Sequence, residues 1–380
     1  MSTFERYWTQ GRYSRQAHRD LPEGTFEREI GRDGFDGPAS HIYHPRPPTA
    51  WDSIEGPLRP RAYDLNRIEE VSHPFTAPSL LQSKSITLAF WRMSEPMAEL
   101  ARDADGDVLL FVHSGELQFF CDFGHLEVTA GKYLVIPRGT MWRIETSVES
   151  TVLMLQTRAM RFRVPERGLL GRHALWDPAV LAYPKLDEQF KQQEERRWSV
   201  KVNRRCQIST VHYPHNPLDA VGWKGDAVPI LLDIKDILPV NSHRYHLPPS
   251  AHATFECDAA IVSTFVPRPF ETDATALKVP FFHNNDDIDE VIFYHAGDFF
   301  SRDSIAEGFL TYHPSGLTHG PHPKALSRMF EQQATHTNEY AVMIDSREQL
   351  EPNNHSSTDG LELTDYANSW RTKQDYSSDR

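Results

Sequence analysis

The chain has 380 residues, room for one large or two ordinary domains, and its 39% hydrophobic and 24% charged residues fit a globular protein in water. No apolar run reaches the roughly 18 residues that span a bilayer, and a net charge of −13 works against nonspecific nucleic-acid binding. An anionic small substrate stays admissible, because one Arg or Lys in a pocket overrides the global field.

In chain order, the start Met1-Ser2-Thr3-Phe4-Glu5-Arg6 lacks the apolar stretch of a secretion signal. The first 80 or so residues are rich in Pro, Gly and charge, with short extended runs at Ser40-His41-Ile42-Tyr43 and Arg61-Ala62-Tyr63 and a rigid loop at Pro45-Arg46-Pro47-Pro48. Segments such as Leu117-Gln118-Phe119-Phe120-Cys121 and Tyr133-Leu134-Val135-Ile136-Pro137 then alternate with turns, as short strands do. The charged, helix-compatible stretch Lys185 to Trp198 reads as a solvated face. Strands return from about residue 206, and the last 30 residues are polar, the composition of a loosely packed tail. The expected division is 1–160 for an N-terminal segment plus a metal-free barrel, 161–205 for a connector, 206–350 for a catalytic barrel and 351–380 for the tail. Cys121, Cys206 and Cys257 stand in no metal or redox spacing, which assigns the chain to a reducing cytoplasm.

The chemistry is concentrated in the third section. Glu290 lies between His283 and His319 in a pattern that continues through Gly297, Gly308, Pro314 and Gly316. Apolar neighbours Phe281, Phe282, Val291, Ile292 and Phe293 mark buried strands, and Pro314-Ser315-Gly316 marks a turn that brings His319 back beside the other two. Two imidazoles and one carboxylate occupy one face of a metal ion and leave the other open, the ligand set of non-haem Fe(II) that binds both a substrate and O2. The joint pattern is the two-part signature of the cupin barrel, with Asn285 where many cupins carry a further His; three protein ligands are therefore expected.

A second copy of the unit lacks these ligands. Asp107-Val108-Leu109-Leu110-Phe111-Val112-His113-Ser114-Gly115 resembles Asp289-Glu290-Val291-Ile292-Phe293-Tyr294-His295-Ala296-Gly297, and Gly131, Pro137 and Gly139 repeat Gly308, Pro314 and Gly316 at identical spacing. Ala101, Val108 and Trp142 replace His283, Glu290 and His319, and an apolar triplet cannot hold a metal. The fold expected is mainly β, with two cupin-type jelly-roll barrels in one chain behind an irregular N-terminal segment.

Taken together these residues resemble the homogentisate 1,2-dioxygenase family over most of the chain. The resemblance rests on Leu21-Pro22-Glu23-Gly24, Asp105-Gly106-Asp107, Phe123-Gly124, Arg138-Gly139, Gly222-Trp223-Lys224-Gly225, Tyr245-His246 with Pro249-Ser250, Phe282-His283-Asn284-Asn285, Glu290 and His319-Gly320-Pro321. It implies Fe(II) on His283, Glu290 and His319, His246 as the acid/base, and His313 as a second pocket histidine. A small aromatic substrate and O2 follow, as does a homo-oligomer, trimer or hexamer. Neighbouring His243 and His252 leave the choice of base open.

Two departures bear on the substrate. The His283-to-Glu290 spacing is one residue longer than the family's, and Phe299 stands where the family pocket has Tyr, so it cannot donate a phenolic hydrogen bond. Trp223, Phe282 and Phe299 are candidate ring-stacking walls, although ordinary core packing accounts equally well for each. Asn284, Asn285 and Asp286 are candidate supports for the ligands, and Lys224, Arg244 and Lys278 candidate partners for a substrate carboxylate. Homogentisate cleavage to maleylacetoacetate is the first expectation. A hydroquinone-like or gentisate-like ring, and a metal cupin that uses no O2, are the alternatives.

Overall fold

In this computed structural model the described residues are 8–278, 280–299, 304–322, 325, 334–353 and 358–370. Long strands such as Ile86–Met93 and Ser150–Thr157 pair antiparallel along their whole length. Their successive side chains enter two different cores: Trp91, Val152 and Met154 point into one, Phe90, Leu153 and Leu155 into the other. That is why these strands read as continuous apolar runs rather than as clean alternation.

The first barrel is two facing sheets. One has the order Ile230–Asp233, Lys132–Ile136, Val108–Ser114, Ser150–Thr157, Ile86–Met93, Ser79–Gln82 and Glu351–Pro352. The other runs Gln207–Tyr213, Trp198–Arg204, Leu100–Asp103, Met141–Glu145, Glu116–Cys121 and Gly124–Thr129. The second barrel faces the sheet Ala253–Glu256, Ala260–Phe265, Glu339–Ser346, Asp289–Gly297, Phe309–His313 and Arg61–Asp64 against the small sheet Phe282–Asn285, Phe26–Gly31 and Ala39–His44. The two large sheets pack back to back through a shared apolar layer that includes Phe111, Tyr133, Phe255, Val291, Phe293 and Ile344. The fold is the mainly β, double jelly-roll arrangement that the repeat predicts.

The equivalence of the two repeats is geometric. Ala101 pairs with Trp142 in the first barrel, and His283 bridges to His319 in the second. Ala101, Val108 and Trp142 are all buried in the same core cluster, so the indole fills the space that the ligands line in the other barrel.

The expected division is crossed by the chain. Three strands before residue 65 join the second barrel, not the first, and Ile230–Asp233 joins the first. Sheet edges expose unpaired backbone groups, and these exchanged strands cover them. The segment 358–370, expected as part of a loose tail, also packs: Leu361, Tyr366 and Trp370 are buried, and Leu361 and Leu363 exchange backbone hydrogen bonds with Asp64 and Ala62. The remainder of that tail beyond Asn353 lies outside the described residues. No helix among the described residues is long and apolar enough to cross a membrane.

Candidate metal centre

Three neighbouring strands place the site. Glu290 sits on Asp289–Gly297, in register with His313 on one side and Asp345 on the other. Period-2 alternation sends these three side chains into the barrel interior with Ile292, Met343 and Thr311, while Val291, Ile344 and Tyr312 face the inter-barrel core. His283 stands on the opposing strand Phe282–Asn285, held to His319 by two backbone hydrogen bonds of 2.8 and 3.0 Å. The approach of these two segments is close: a Cβ on Gly320 would meet Phe282 Cδ1 at 2.7 Å and its Cα at 2.9 Å, so only glycine follows His319.

The loop that delivers His319 is tied down by the entry to the Glu290 strand. Asn284 accepts from Thr318 Oγ1 (2.6 Å), Asp286 from the Gly316 amide (2.9 Å) and Asp289 from the Ser315 amide (2.7 Å). Two of the polar residues expected to support the ligands, Asn284 and Asp286, thus act on the loop and not on an imidazole. Asn285 is buried with its side-chain oxygen unpaired.

One ligand atom from each of His283, Glu290 and His319 lies within 4.8 Å of the other two, and all three residues are buried. Glu290 Oε2 is 3.8 Å from His283 Nε2 and 3.6 Å from His319 Nε2. The outer nitrogens are committed elsewhere: His283 Nδ1 donates to the Phe281 carbonyl (3.1 Å) and His319 Nδ1 to the Leu317 carbonyl (3.2 Å). Those bonds select the tautomer with the lone pair on Nε2, the form that binds a metal. Burial, with the neighbouring His319 adding to it, holds His283 below its ordinary value, which favours the neutral, ligand-ready form. Burial alone would raise Glu290, but the neighbouring histidines, His319 first and then His283 and His313, keep it well below the usual carboxylate range. His319 Nε2 is a buried polar atom without a hydrogen-bond partner, a costly arrangement unless a cation takes it. The donor set therefore fits a divalent first-row metal with open positions.

The other candidate residues fall as follows. His246 lies in a loop, its Nδ1 3.2 Å from Glu271 Oε1 in an ion-pair approach that lacks hydrogen-bond alignment. Its ring is 5.9 Å from Phe281, which lies 5.2 Å from His283, so one phenyl ring separates it from the ligand. Burial lowers its pKa, and Glu271 offsets part of that. His252 packs on Phe265, 5.0 Å between centroids, and His243 is exposed. His313 is fully buried, 2.8 Å from Glu290 Oε1 and stacked on His319 at 4.9 Å. Phe299 is buried against Tyr294, 4.8 Å between centroids, in a cluster with Ile292 and Met343 inside the barrel. Trp223 instead packs on Phe123, and Phe282 on Phe26, so neither walls the metal site. Lys224 and Arg244 are exposed.

Four residues near the site were not singled out from sequence. Phe35, from the N-terminal loop, reaches within 5.3 Å of the His283 ring, and Tyr366 within 3.3 Å of His313 Nε2. Glu271 faces His246. Asp345, next to Glu290, is pushed well above the usual carboxylate range by burial and then by the Glu290 charge. Only Asp345 carried a signal, as an acid on the same alternation as Ala341 and Met343; the others arrive through tertiary contacts.

Comparison with known proteins yields four findings. Residues 44–234 match the family model described as homogentisate 1,2-dioxygenase N-terminal, a range that ends before the metal residues. A Saccharolobus solfataricus protein, provisionally named a dioxygenase, is 30% identical over 90% of this chain and 94% of its own. The homogentisate 1,2-dioxygenase of Rhizobium etli is 25% identical over 73% of this chain, and the match spans 62% of that enzyme's length. Among solved structures, a cupin 2 conserved barrel domain protein from Leptotrichia buccalis aligns over 75% of this chain and 95% of its own, at 6% identity and a TM-score of 0.37.

Proposed function

This chain belongs to the homogentisate 1,2-dioxygenase family, and on that premise we propose that it is an Fe(II)-dependent ring-cleaving dioxygenase acting on homogentisate or a close para-dihydroxy analogue. For homogentisate the product is maleylacetoacetate, with both atoms of O2 incorporated. The observation that carries the reading is the convergence of His283, Glu290 and His319 on one point inside a barrel, with both histidine tautomers set for coordination.

Bound Fe(II) supplies the chemistry that joins a closed-shell aromatic to O2. The chain's own groups do the rest. His246 takes the proton of a substrate phenol, whose ordinary pKa is near ~10. Burial keeps that imidazole neutral before the transfer, and the Glu271 carboxylate at Nδ1 stabilises the cation formed by it. Phe35 and Phe281, both against the His283 ring, exclude water and offer faces to an aromatic ring. Phe299 and the fully buried His313 complete the inner surface of the same barrel.

Phe299 favours a second substrate, a hydroquinone-like or gentisate-like ring, because it offers no hydroxyl to a substrate side chain. Three free cysteines support a cytoplasmic setting, and the family supports a homo-oligomer, trimer or hexamer, which light scattering measures. The decisive assay is O2 uptake by Fe(II)-loaded protein with homogentisate, gentisate and hydroquinone side by side. Turnover of one of them supports the proposal. Tight Zn or Mn with no uptake on any ring identifies instead a metal cupin of another class.

A further inference from the structure

The C-terminal segment 358–370 reaches the metal centre from outside the barrel. Glu362 accepts from Arg59 and Arg61 at 2.7 Å each, fixing the segment to the strand Arg61–Asp64. Trp51 Nε1 donates to the Ala367 carbonyl (3.3 Å), and His322 Nε2 donates to the Ser369 carbonyl (2.9 Å). Trp370 wedges between Trp51 and His322, with ring centroids 5.8 and 5.5 Å away. This frame presents the Tyr366 hydroxyl to His313 Nε2 at 3.3 Å, while His313 Nδ1 lies 2.8 Å from Glu290 Oε1.

These contacts run as one chain from the tyrosine to the carboxylate. A carboxylate only accepts, so His313 carries its proton on Nδ1 and donates to Glu290. The other His313 nitrogen meets the Tyr366 hydroxyl, so both ring nitrogens are held at once. Glu290 Oε1 is thereby engaged by His313, and Oε2 is the oxygen that faces His283 and His319. The tyrosine hydroxyl braces the far nitrogen of the ring, and so holds the imidazole where Nδ1 meets Glu290 Oε1.

We infer that Tyr366 is a positioning residue of the metal centre: through His313 it fixes the Glu290 carboxylate so that a single oxygen, Oε2, is presented to the cation. The segment that bears it is thus part of the centre and not an appendage. The inference rests on the metal-binding half of the proposed function only.

The test is metal affinity of the full chain, by anaerobic equilibrium dialysis with Co(II) and Fe(II), without O2 or aromatic. Tyr366→Phe keeps the ring and removes the hydroxyl. It should lower affinity about tenfold, the scale for removing a hydrogen bond behind a ligand, and should shift the Co(II) visible spectrum while leaving the apo-protein Tm unchanged. His313→Gln supplies an amide donor to Glu290 that needs no tyrosine. In that background Tyr366→Phe should cost nothing further. Unchanged affinity and spectrum in the single variant, or an additive loss in the double variant, overturns the inference. A relay that fails this way leaves metal binding intact, whereas failure of the dioxygenase reading gives metal-loaded protein with no O2 uptake.

Discussion

His113 and His295 hold the same position in the two repeats and hydrogen-bond to each other, Nδ1 to Nδ1, at 2.9 Å. The pair lies in the apolar layer between the barrels, with Phe111 and Phe293 edge-on to it. Burial pushes both imidazoles down to about 4, so at neutral pH both are uncharged and one N–H satisfies the other's lone pair. An unfolded histidine binds a proton from about pH 6.5 downward. The native pair resists protonation until about 4, so its contribution to stability is whole above 6.5 and falls as pH drops from 6.5 toward 4.

Replacing one member strands the other. His113→Leu should cost about 1–3 kcal/mol, and His113→Leu with His295→Leu should cost less than the single change, because no unpaired polar group remains. Urea unfolding at pH 7 measures both. Additive losses in the double variant would rule out the pairing.

Metal retention should follow the ligand triad. Glu290→Gln and His319→Ala should each lose bound iron in elemental analysis while far-UV circular dichroism stays native. His246→Ala should keep iron and lose turnover. Iron loss in His246→Ala would make it a ligand rather than a base.

The first barrel should be indifferent to metal. Trp142 is among the largest fully buried side chains and occupies the position of His319. Trp142→Ala should cost about 3–5 kcal/mol by leaving a cavity, read as a lower Tm, with metal stoichiometry unchanged. A parallel fall in stoichiometry would show that the two barrels do not bind independently.

A buried charge network on the N-terminal strand gives a second pH dependence. His18 lies 3.1 Å from Glu27 and 3.0 Å from Glu29, stacked on Phe281 at 3.9 Å. Burial opposes charge on this imidazole, yet hydrogen bonds to the two carboxylates raise its pKa; burial likewise opposes Glu27, yet His18 and His41 bring it to about 2. The His18 contribution is complete below its unfolded pKa of about 6.5 and is lost as pH rises through the raised native value. The Glu27 contribution is complete above its unfolded value of about 4.3 and is lost as pH falls toward about 2. Glu27→Gln should flatten the acid flank and weaken the alkaline one, with a lower Tm at pH 6, because His18 then keeps only Glu29 as a counter-charge. A stability profile unchanged from pH 3 to 9 would refute this account.

The convergence of His283, Glu290 and His319 and the damaged repeat were legible because both are local: residue type, spacing and turn chemistry within a few dozen residues specify them. Gly131-x5-Pro137 and Gly308-x5-Pro314 announced equivalent hairpins, and the pairing of Ala101 with Trp142 shows the same register as His283 with His319. The exchanged strands were not legible, since a four-residue run such as Arg61–Asp64 does not encode which sheet edge it covers. Tyr366 was hidden for a related reason. Leu361, Tyr366 and Trp370 are sparse apolar residues in a polar stretch, and their value depends on a groove built from distant parts of the chain. Phe35 and Glu271 gain their roles in the same way, through contact with His283 and His246.

The strand Phe26–Gly31 lies parallel to Phe282–Asn285, with Glu29 opposite His283. A ribosome releases the first long before the second exists. One edge of the early strand pairs at once with Ala39–His44, while the other must wait, and the charged residues Glu27, Arg28 and Glu29 guard that open edge meanwhile. Contacts so distant in sequence slow folding, so the pocket closes only after synthesis is nearly complete. Completion of the candidate metal site is therefore a late event in the life of each molecule, set by chain release and not by translation of His283, Glu290 and His319 themselves.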